Sequence, residues 1–298
     1  MTADPPARFF CSESSRGRHE QIFATAPAID VWFLLEYHGR WGPEALPVTE
    51  LPSDVRAQLQ RFTREVPRSR LLLIRQSHVQ RPGIQLFVVQ SREQNPASVR
   101  FELSCYQDLL ELTPELLLTS GQAHPDPLLL VCTHGKHDKC CAKFGFPMYQ
   151  ALRETAGAQV WECSHVGGDR FAANVIGMPQ GAYYGHVFPS DAGALADAQR
   201  DGELVLEKYR GRCCYSRAAQ AGEFFIRAES GLTSFDQLRY RDSEIVEPDH
   251  WRVRFESLSR VYTVEFRRLR EDLSGYFTCH AEKPQQVFRF ELLSYVTD

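Results

Sequence analysis

The sequence contains no apolar run of the ~20 residues that a membrane-spanning helix requires. Its most apolar stretches, LLLIRQSHVQ (71–80) and PLLLVCTHG (127–135), are interrupted by polar residues within a few positions. The first residues, MTADPPARFFCSESSRG, also lack the apolar core of a secretory signal peptide. In a chain of 298 residues, of which 43% are hydrophobic and 24% are charged, these absences predict a soluble, globular protein of the cytoplasm.

The sequence also lacks an excess of positive charge. The formal net charge is −4 and the basic run RGRCCYSR (210–217) is short, so we expect no nucleic-acid partner. The sequence has no G-x-G-x-x-G segment and no Walker loop, so nothing indicates a bound nucleotide that would make the protein a self-sufficient reductase.

The cysteines are numerous but do not follow the common motifs. Nine is an odd number, and a reducing cytoplasm argues against a disulfide framework. Neither a C-x-x-C dithiol nor a C-x₂₋₄-C zinc knuckle occurs. Four of the nine cysteines and three of the ten histidines lie within the 34 residues from Cys132 to His165. This clustering indicates metal or redox chemistry.

The other cysteines are interpreted individually as small buried hydrophobic residues. They are Cys11, Cys105, Cys213, Cys214 and Cys279. Cys140 is interpreted in the same way, because only one of two adjacent residues usually points at a site.

Hydrophobic periodicity divides the chain into three parts. Residues 1–123 form an N-terminal α/β domain that ends in the linker TSGQAHPDP. Residues 124–202 follow the order β-α-β-β-β-α, and residues 203–298 contain a helix followed by alternating strand-like runs. The predicted fold class is α/β: a thioredoxin-like mixed sheet with flanking helices, followed by a small, largely antiparallel β segment.

The first two parts are alike in outline. LLLIRQSHVQRPGIQLFVV can be aligned with QVWECSHVGGDRFAANVI so that Ser77–Val79 falls on Ser164–Val166. The alignment indicates an ancient duplication, in which residues 1–123 are a degenerate repeat that has lost the thiols.

Two loops of the second part carry the chemistry. Cys132 ends a predicted strand, and Cys141 opens the following helix, whose free backbone N–H groups favour a thiolate. Cys163 and His165 follow the next strand and, two residues apart, share one side of an extended segment. The glycine pair 167–168 lets the backbone pass close to an object that a Cβ atom would obstruct.

Soft ligands presented by two neighbouring loops are typical of an iron-sulfur site. Two alternatives remain open at this point. One is a zinc-binding structural or interaction protein, and the other is a thiol-dependent oxidoreductase with Cys132 or Cys141 as the nucleophile.

The strings VCTHGKHDKCCAKFG (131–145) and VWECSHVGGDRFAANVIGMPQGAYYGHV (160–187) resemble the signature of the sucrase/ferredoxin-like family, whose members are thioredoxin-like 2Fe-2S ferredoxins. CSESSRG, TAPAIDVWFLLEYHGRWGPEAL and CCYSRAAQAGEFFIRAESG resemble longer bacterial members. The resemblance implies a 2Fe-2S electron carrier, rather than a catalyst, with an external reductase and an external acceptor protein.

The resemblance also implies ligands. The first loop would supply Cys132 and Cys141, because the family's second thiol lies three residues after an aspartate, matched here by Asp138. In members with mixed ligation the second loop reads H-V-G-G-H. His165 matches the first of these histidines, but Asp169 stands at the second.

The fourth ligand therefore has several candidates. We predict Cys163, since thiolate is the usual cluster ligand. Asp169 is the alternative, either as a carboxylate ligand or as a group that orients His165. His134 and His137 are weaker options. Ligation by an exposed imidazole predicts a reduction potential that depends on pH.

Overall fold

The computed structural model describes residues 9–46, 50–79, 81–258 and 260–298. The α-helices are α1 (Cys11–Gly17), α2 (Ser53–Glu65), α3 (Pro114–Thr119), α4 (Lys139–Ala156), α5 (Ala192–Asp201) and α6 (Arg217–Ser230). Among the described residues, none of the helices combines the length and the apolar character needed to cross a membrane.

Fourteen strands form two sheets within the described residues. Those of the large sheet are β1 (Val31–Glu36), β2 (Ser69–Arg75), β3 (Ile84–Gln90), β4 (Ala97–Leu103), β5 (Gln122–Ala123), β6 (Leu128–Cys132), β7 (Val160–Cys163), β8 (Val175–Met178), β9 (Ala182–Tyr184) and β10 (Tyr209–Arg212). Those of the small sheet are β11 (Arg239–Glu247), β12 (His250–Ser257), β13 (Arg260–Gly275) and β14 (Gln285–Thr297).

The large sheet has the strand order β10-β9-β8-β6-β7-β2-β1-β3-β4-β5. In its second half, β6 and β7 are parallel, β8 is antiparallel to β6, and β9 is antiparallel to β8. With α4 between β6 and β7 and α5 after β9, this is the predicted order β-α-β-β-β-α. The mixed α/β class, with a thioredoxin-like sheet and a separate antiparallel sheet, is confirmed.

The first half of the large sheet repeats this arrangement. β1 and β2 are parallel and are connected along the chain by α2. β3 is antiparallel to β1, and β4 is antiparallel to β3. The halves join where β2 pairs antiparallel with β7, Ile74 opposite Cys163 and Arg75 opposite Glu162. A two-fold rotation that exchanges Ile74 with Glu162 maps this pairing onto itself. This correspondence is shifted by one residue from the sequence alignment that places Ser77 on Ser164. The duplication and the three-domain division remain predictions.

Alternation along the strands builds the cores. One face of the first half packs against α2, and one face of the second half packs against α4 and α5. The opposite faces of both halves meet in one cluster, here called the shared core, where Phe87 meets Trp161 and Trp32 meets Tyr183. Cys132, Cys141 and Cys163 lie in the shared core.

The C-terminal segment forms the small antiparallel sheet, as predicted, with α6 packed on β12 and β13. Ser216 caps α6 by accepting a hydrogen bond from the backbone N–H of Ala219. Four elements escape the sequence analysis. They are the short helix α1, the strand β5 inside the predicted linker, the strand β10, and the polar strand β11, whose sequence RYRDSEIVE lacks a clear apolar alternation.

Candidate metal centre

The end of β6 and the start of α4 position two thiols. Cys132 is the last residue of β6, and Cys141 is the third residue of α4. The helix begins at Lys139, two residues before the predicted start at Cys141, because the Asp138 side chain accepts a hydrogen bond of 2.8 Å from the backbone N–H of Cys140. Cys141 therefore lies in the first turn, where free N–H groups favour a thiolate.

Two glycines let the helix approach the strand end. A Cβ atom on Gly145 would overlap the carbonyl oxygen of Cys132. On Gly135 it would lie 2.6 Å from the Cβ atom of Ala142. Gly135 thus permits a close contact between the loop and α4, rather than only making the loop flexible.

Four side chains converge here and are called the β6 site: Cys132, Cys141, His165 and Asp169. The two Sγ atoms and one ring nitrogen of His165 all lie within 4.8 Å of one another. Oδ1 of Asp169 is 3.4 Å from Sγ of Cys141 and 3.0 Å from Nδ1 of His165. Both thiols and the carboxylate are buried. The site is thus a compact, largely dry group of soft donors beside one carboxylate.

Cys163 takes a different position. It is the last residue of β7, lies opposite Cys132 in the parallel pairing, and is fully buried in the shared core. Among the described residues, the donor atoms that lie within 4.8 Å of Cys132 and Cys141 do not include its thiol. Burial raises the pKa of Cys163 well above its usual range. The structure thus brings Asp169, rather than Cys163, to Cys141, and the ligand assignment remains a prediction.

The two other histidines of the cluster support the site. Nδ1 of His134 accepts a hydrogen bond of 3.1 Å from the backbone N–H of His165, and its Nε2 lies 2.6 Å from the carbonyl oxygen of Gly42. Both ring nitrogens of His134 are therefore occupied. His137 stacks on the ring of His165 at a centroid distance of 3.7 Å, and its Nδ1 lies 3.0 Å from the carbonyl oxygen of Pro43.

The two carbonyl oxygens that contact these histidines, those of Gly42 and Pro43, belong to one loop. This loop, residues 38–46, comes from the first half of the sheet and is called the covering loop. Trp41 anchors it: the indole is 7% exposed, and the guanidinium of Arg75 lies 4.3 Å from its ring centroid. Between this loop and the β6 site lies a cavity of about 410 Å³, lined by Arg70, His137 and His165 among others. The side chain of His165 is 18% exposed.

The charges in the β6 site are coupled. The hydrogen bond with Cys141 and the contact with His165 outweigh burial and lower the pKa of Cys132. Burial alone would lower the pKa of His165, but the nearby carboxylate of Asp169 and the Cys132 thiol raise it to about 9. Burial alone would raise the pKa of Asp169, and His165 reverses that shift. The three shifts together favour negative charge on Cys132 and Asp169 and positive charge on His165.

The glycine pair of the second loop leaves room for an arginine side chain. A Cβ atom on Gly168, whose φ is +82°, would lie 2.6 Å from Nη2 of Arg210. The guanidinium of Arg210 is buried and donates hydrogen bonds to the Gly167 carbonyl oxygen and to Oδ1 of Asn174. The object predicted to pass close to these glycines is thus this side chain, which holds the second loop in place.

Sequence reasoning misses a second group of thiols. Cys11, Cys140 and Cys279 were interpreted as isolated hydrophobic residues, but their donor atoms and that of Asp138 lie within 4.8 Å of one another. The one local signal is the Cys140–Cys141 pair, because adjacent residues of a helix point about 100° apart and face different neighbours. Cys105, interpreted as buried, is exposed, so that interpretation is wrong.

The donors of the β6 site fit a transition-metal cofactor. Two thiols and an imidazole are the ligand types of mixed iron-sulfur ligation. Nδ1 of His165 is buried and makes no well-aligned hydrogen bond within the described residues, although Asp169 lies close. Buried polar groups are normally satisfied, so a nitrogen left in this state is suited to a metal bond.

The chain is similar to proteins of two yeasts, both called altered inheritance of mitochondria protein 32. The protein of Meyerozyma guilliermondii is 34% identical over 98 residues, which are 29% of this chain and 34% of that protein. The protein of Debaryomyces hansenii is 32% identical over 95 residues, 28% of this chain and 35% of that protein. Each match spans about a third of the relative's length.

Among solved structures, the chain is similar to the wild-type thioredoxin-like [2Fe-2S] ferredoxin of Aquifex aeolicus, with 18% identity and a TM-score of 0.26 over 28% of this chain and 94% of that one. A likeness this partial leaves the cofactor to be argued from the residues of this chain. The family model described as sucrase/ferredoxin-like matches residues 22–211. These residues include both loops of the β6 site and both halves of the large sheet, and the chain belongs to the sucrase/ferredoxin-like family.

Proposed function

We propose that the protein is a single-electron carrier whose β6 site holds a 2Fe-2S cluster. The observation that carries the proposal is the convergence of two buried thiols and the ring of His165 from two separate loops. When bound, the cluster would supply reversible one-electron redox chemistry. The proposed ligands from the first loop are Cys132 and Cys141.

For the second loop we propose His165 and Asp169. Asp169 takes the fourth position in this proposal, in place of Cys163, because its Oδ1 lies 3.4 Å from Sγ of Cys141, whereas the Cys163 thiol is not among the donor atoms of the described residues that lie within 4.8 Å of both Cys132 and Cys141. A carboxylate is a harder ligand than a thiolate, so replacing Asp169 should change the spectrum of the cluster.

The surrounding residues support an electron carrier. The buried thiols are kept from water and from any large substrate, while His165 borders the cavity under the covering loop. Arg70 donates hydrogen bonds to the carbonyl oxygens of His165 (2.7 Å) and Val166 (3.1 Å), which fixes the second loop. The rim of this cavity is the proposed docking face for an external reductase and an external acceptor protein.

We also propose a cytoplasmic location and no nucleic-acid partner. All nine cysteines are free, which suits a reducing compartment, and the formal net charge of −4 gives no attraction for a polyanion. The names of the two yeast relatives refer to mitochondria, so fractionation of cells that produce the full chain is the direct test of location.

The test of the cofactor is iron and sulfide analysis with visible and paramagnetic-resonance spectra of the protein purified from cells. We expect a red-brown protein that loses iron in Cys132→Ser and Cys141→Ser. Cys213→Ser is the matched control, because that thiol is also buried in the shared core but lies outside the β6 site. A colourless wild-type protein that contains zinc would refute the proposal.

The fourth ligand is tested by a second pair of variants. We expect Asp169→Ala to lose or alter the cluster spectrum and Cys163→Ser to keep it. The reverse result would restore Cys163 as the fourth ligand. If both variants keep the cluster, the next candidate for the fourth ligand is His137, whose Nε2 lies 3.8 Å from Oδ2 of Asp169.

A thiol-dependent oxidoreductase is the second candidate. It is favoured by the lowered pKa of Cys132, which has a second thiol and an imidazole beside it. Burial of Cys132 argues against it, since a nucleophile must reach its substrate. Rapid alkylation of Cys132 in the freshly purified protein, with no iron present, would favour this candidate.

A further inference from the structure

A second cluster of donors lies beside the β6 site but faces away from it. It brings together the start of α1, the N-terminus of α4 and the turn between β13 and β14. Its members, here called the Cys11 site, are Cys11, Asp138, Cys140 and Cys279. The first three are fully buried and Cys279 is half-buried.

The spacing of the sulfur atoms is that of a metal site. Cys11 and Cys140 are 3.6 Å apart, Cys140 and Cys279 are 3.3 Å apart, and Cys279 and Cys11 are 3.6 Å apart. A tetrahedral zinc ion with Zn–S bonds of about 2.3 Å requires S–S separations of about 3.8 Å. A disulfide bond is about 2.05 Å long and can join only two of three thiols, so disulfide pairing does not explain the triangle.

The fourth donor completes the ligand set. Oδ1 of Asp138 accepts a hydrogen bond of 2.8 Å from the backbone N–H of Cys140, and Oδ2 accepts one of 2.6 Å from that of Cys279. A carboxylate has about four lone-pair positions, so both bonds leave room for a metal. The backbone N–H of Cys11 also points at Sγ of Cys279, at 3.4 Å. Such bonds orient ligands and stabilise their negative charge.

The surroundings exclude water and supply positive charge. Phe9, Phe10 and Phe144 pack against the thiols. The ammonium of Lys143 lies 3.6 Å from the ring centroid of Phe10, and the guanidinium of Arg16 lies 4.5 Å from that of Phe144. Four anionic ligands carry more charge than a divalent ion neutralises. The positive charge of Arg16 interacts with Cys140 and stabilises the loaded site, whereas the ammonium of Lys143 is paired with Glu13 at 2.7 Å.

We propose that the Cys11 site binds a structural zinc ion through Cys11, Asp138, Cys140 and Cys279. Four protein ligands leave no position open for a substrate, which is the mark of a structural site. The ligands are separated by up to 268 residues, so the ion would fasten α1 and the turn between β13 and β14 to α4. The two neighbouring cysteines of α4 would then serve different metals.

The test compares variants of the two adjacent cysteines, Cys140 and Cys141. Zinc and iron are measured in the full chain produced with both metals in the medium. We expect about one zinc per chain in the wild type. Cys140→Ser and Cys279→Ser should lose zinc and keep iron, whereas Cys141→Ser should lose iron and keep zinc.

The outcomes separate this proposal from that for the β6 site. Absence of zinc from the wild type, or full retention of zinc in both Cys140→Ser and Cys279→Ser, would overturn the zinc site alone. If the wild type contains zinc but no iron, and only Cys140→Ser and Cys279→Ser lose the zinc, the iron-sulfur proposal alone would be overturned. Loss of both metals in either α4 variant would mean one shared centre and would overturn the separate zinc site.

A second measurement does not depend on how well a zinc-site variant folds. Zinc-edge X-ray absorption of the wild type should show three sulfur ligands at about 2.3 Å and one oxygen ligand at about 2.0–2.2 Å. Cobalt can also be loaded into the Cys132→Ser/Cys141→Ser double variant, which lacks the proposed cluster thiols. We expect thiolate-to-cobalt absorption bands there, and their absence would count against the site.

Discussion

The two halves of the large sheet share a topology but differ at the positions that matter for chemistry. Cys132 ends β6, and the residue that follows β1 is Tyr37. Cys141 is the third residue of α4, and Val55 is the third residue of α2. Tyr37 and Val55 both lie in the apolar cluster under α2. The same frame therefore carries a metal-binding constellation in one half and a core in the other, so function depends on the residues at the strand ends.

The first half nevertheless contributes to the site of the second. Its covering loop occupies His134 and His137, and its Arg70 holds the backbone of the second loop. The comparison thus separates two roles, ligand supply and support, and each can be tested.

The largest expected effect is loss of the cluster when His165 is replaced. His78 is the comparison, because each of these histidines follows one of the two strands, β2 and β7, that join the halves. We expect His165→Ala to lose the cluster or shift its absorption strongly. His78 is exposed and contacts Tyr149 at 3.1 Å, so His78→Ala should keep the wild-type iron content and spectrum. Iron analysis and visible spectra of both variants make the comparison. Equal losses would show that the two halves share the site.

A backbone contact gives the next largest effect. In Gly145→Ala the new methyl group would overlap the carbonyl oxygen of Cys132, so we expect a loss of roughly 3 kcal/mol in the free energy of unfolding and a reduced iron content. Gly193 in α5 has open space around it, so Gly193→Ala should be neutral or slightly stabilising. Denaturant titration and iron analysis measure both. Wild-type values in Gly145→Ala would contradict the close packing of α4.

Two core leucines test whether stability is shared between the halves. Leu59 of α2 and Leu152 of α4 are both fully buried, so truncation to alanine should cost about 2–5 kcal/mol in either half. The folded fraction of Leu59→Ala should keep its iron, since Leu59 does not contact the β6 site. Denaturant titration of both variants checks this. A much smaller loss in Leu59→Ala would mean that the first half is a loosely held appendage.

The effect expected to be smallest near neutral pH is a pH dependence of stability outside the metal sites. Burial, together with Arg16 and Arg210, lowers the pKa of His186 to about 3, from 6.5. The unfolded chain therefore takes up this proton before the folded one does, and stability should fall as the pH drops from about 6.5 towards 3, by at most about 1.4 kcal/mol per pH unit.

The variant His186→Asn isolates this contribution. Asparagine tolerates the φ of +52° at this position, and it does not titrate. We expect the free energy of unfolding of this variant to depend less steeply on pH between about 4 and 6 than that of the wild type. Identical slopes would show that the pKa of His186 is the same in the folded and the unfolded chain.

The strands and most helices could be predicted from the sequence because their apolar residues follow the period of each element. The exact start of α4 could not, since it depends on one hydrogen bond that the Asp138 side chain accepts from the backbone N–H of Cys140. Cys132, Cys141 and His165 were found because they belong to two compact motifs. The Cys11 site was not, because contact between residues 268 apart leaves no local pattern. The fourth ligand depends on how the second loop turns, which the residue types do not determine.

The covering loop has a consequence for the order of folding. The proposed cluster ligands all lie between Cys132 and Asp169, so they can meet by closing short loops of chain. The contacts of the covering loop with His134 and His137 join residues 92 and 94 positions apart. Contacts that are more distant in sequence form more slowly, so we expect the ligand pocket to assemble first and to stay open to incoming iron until the covering loop closes over it.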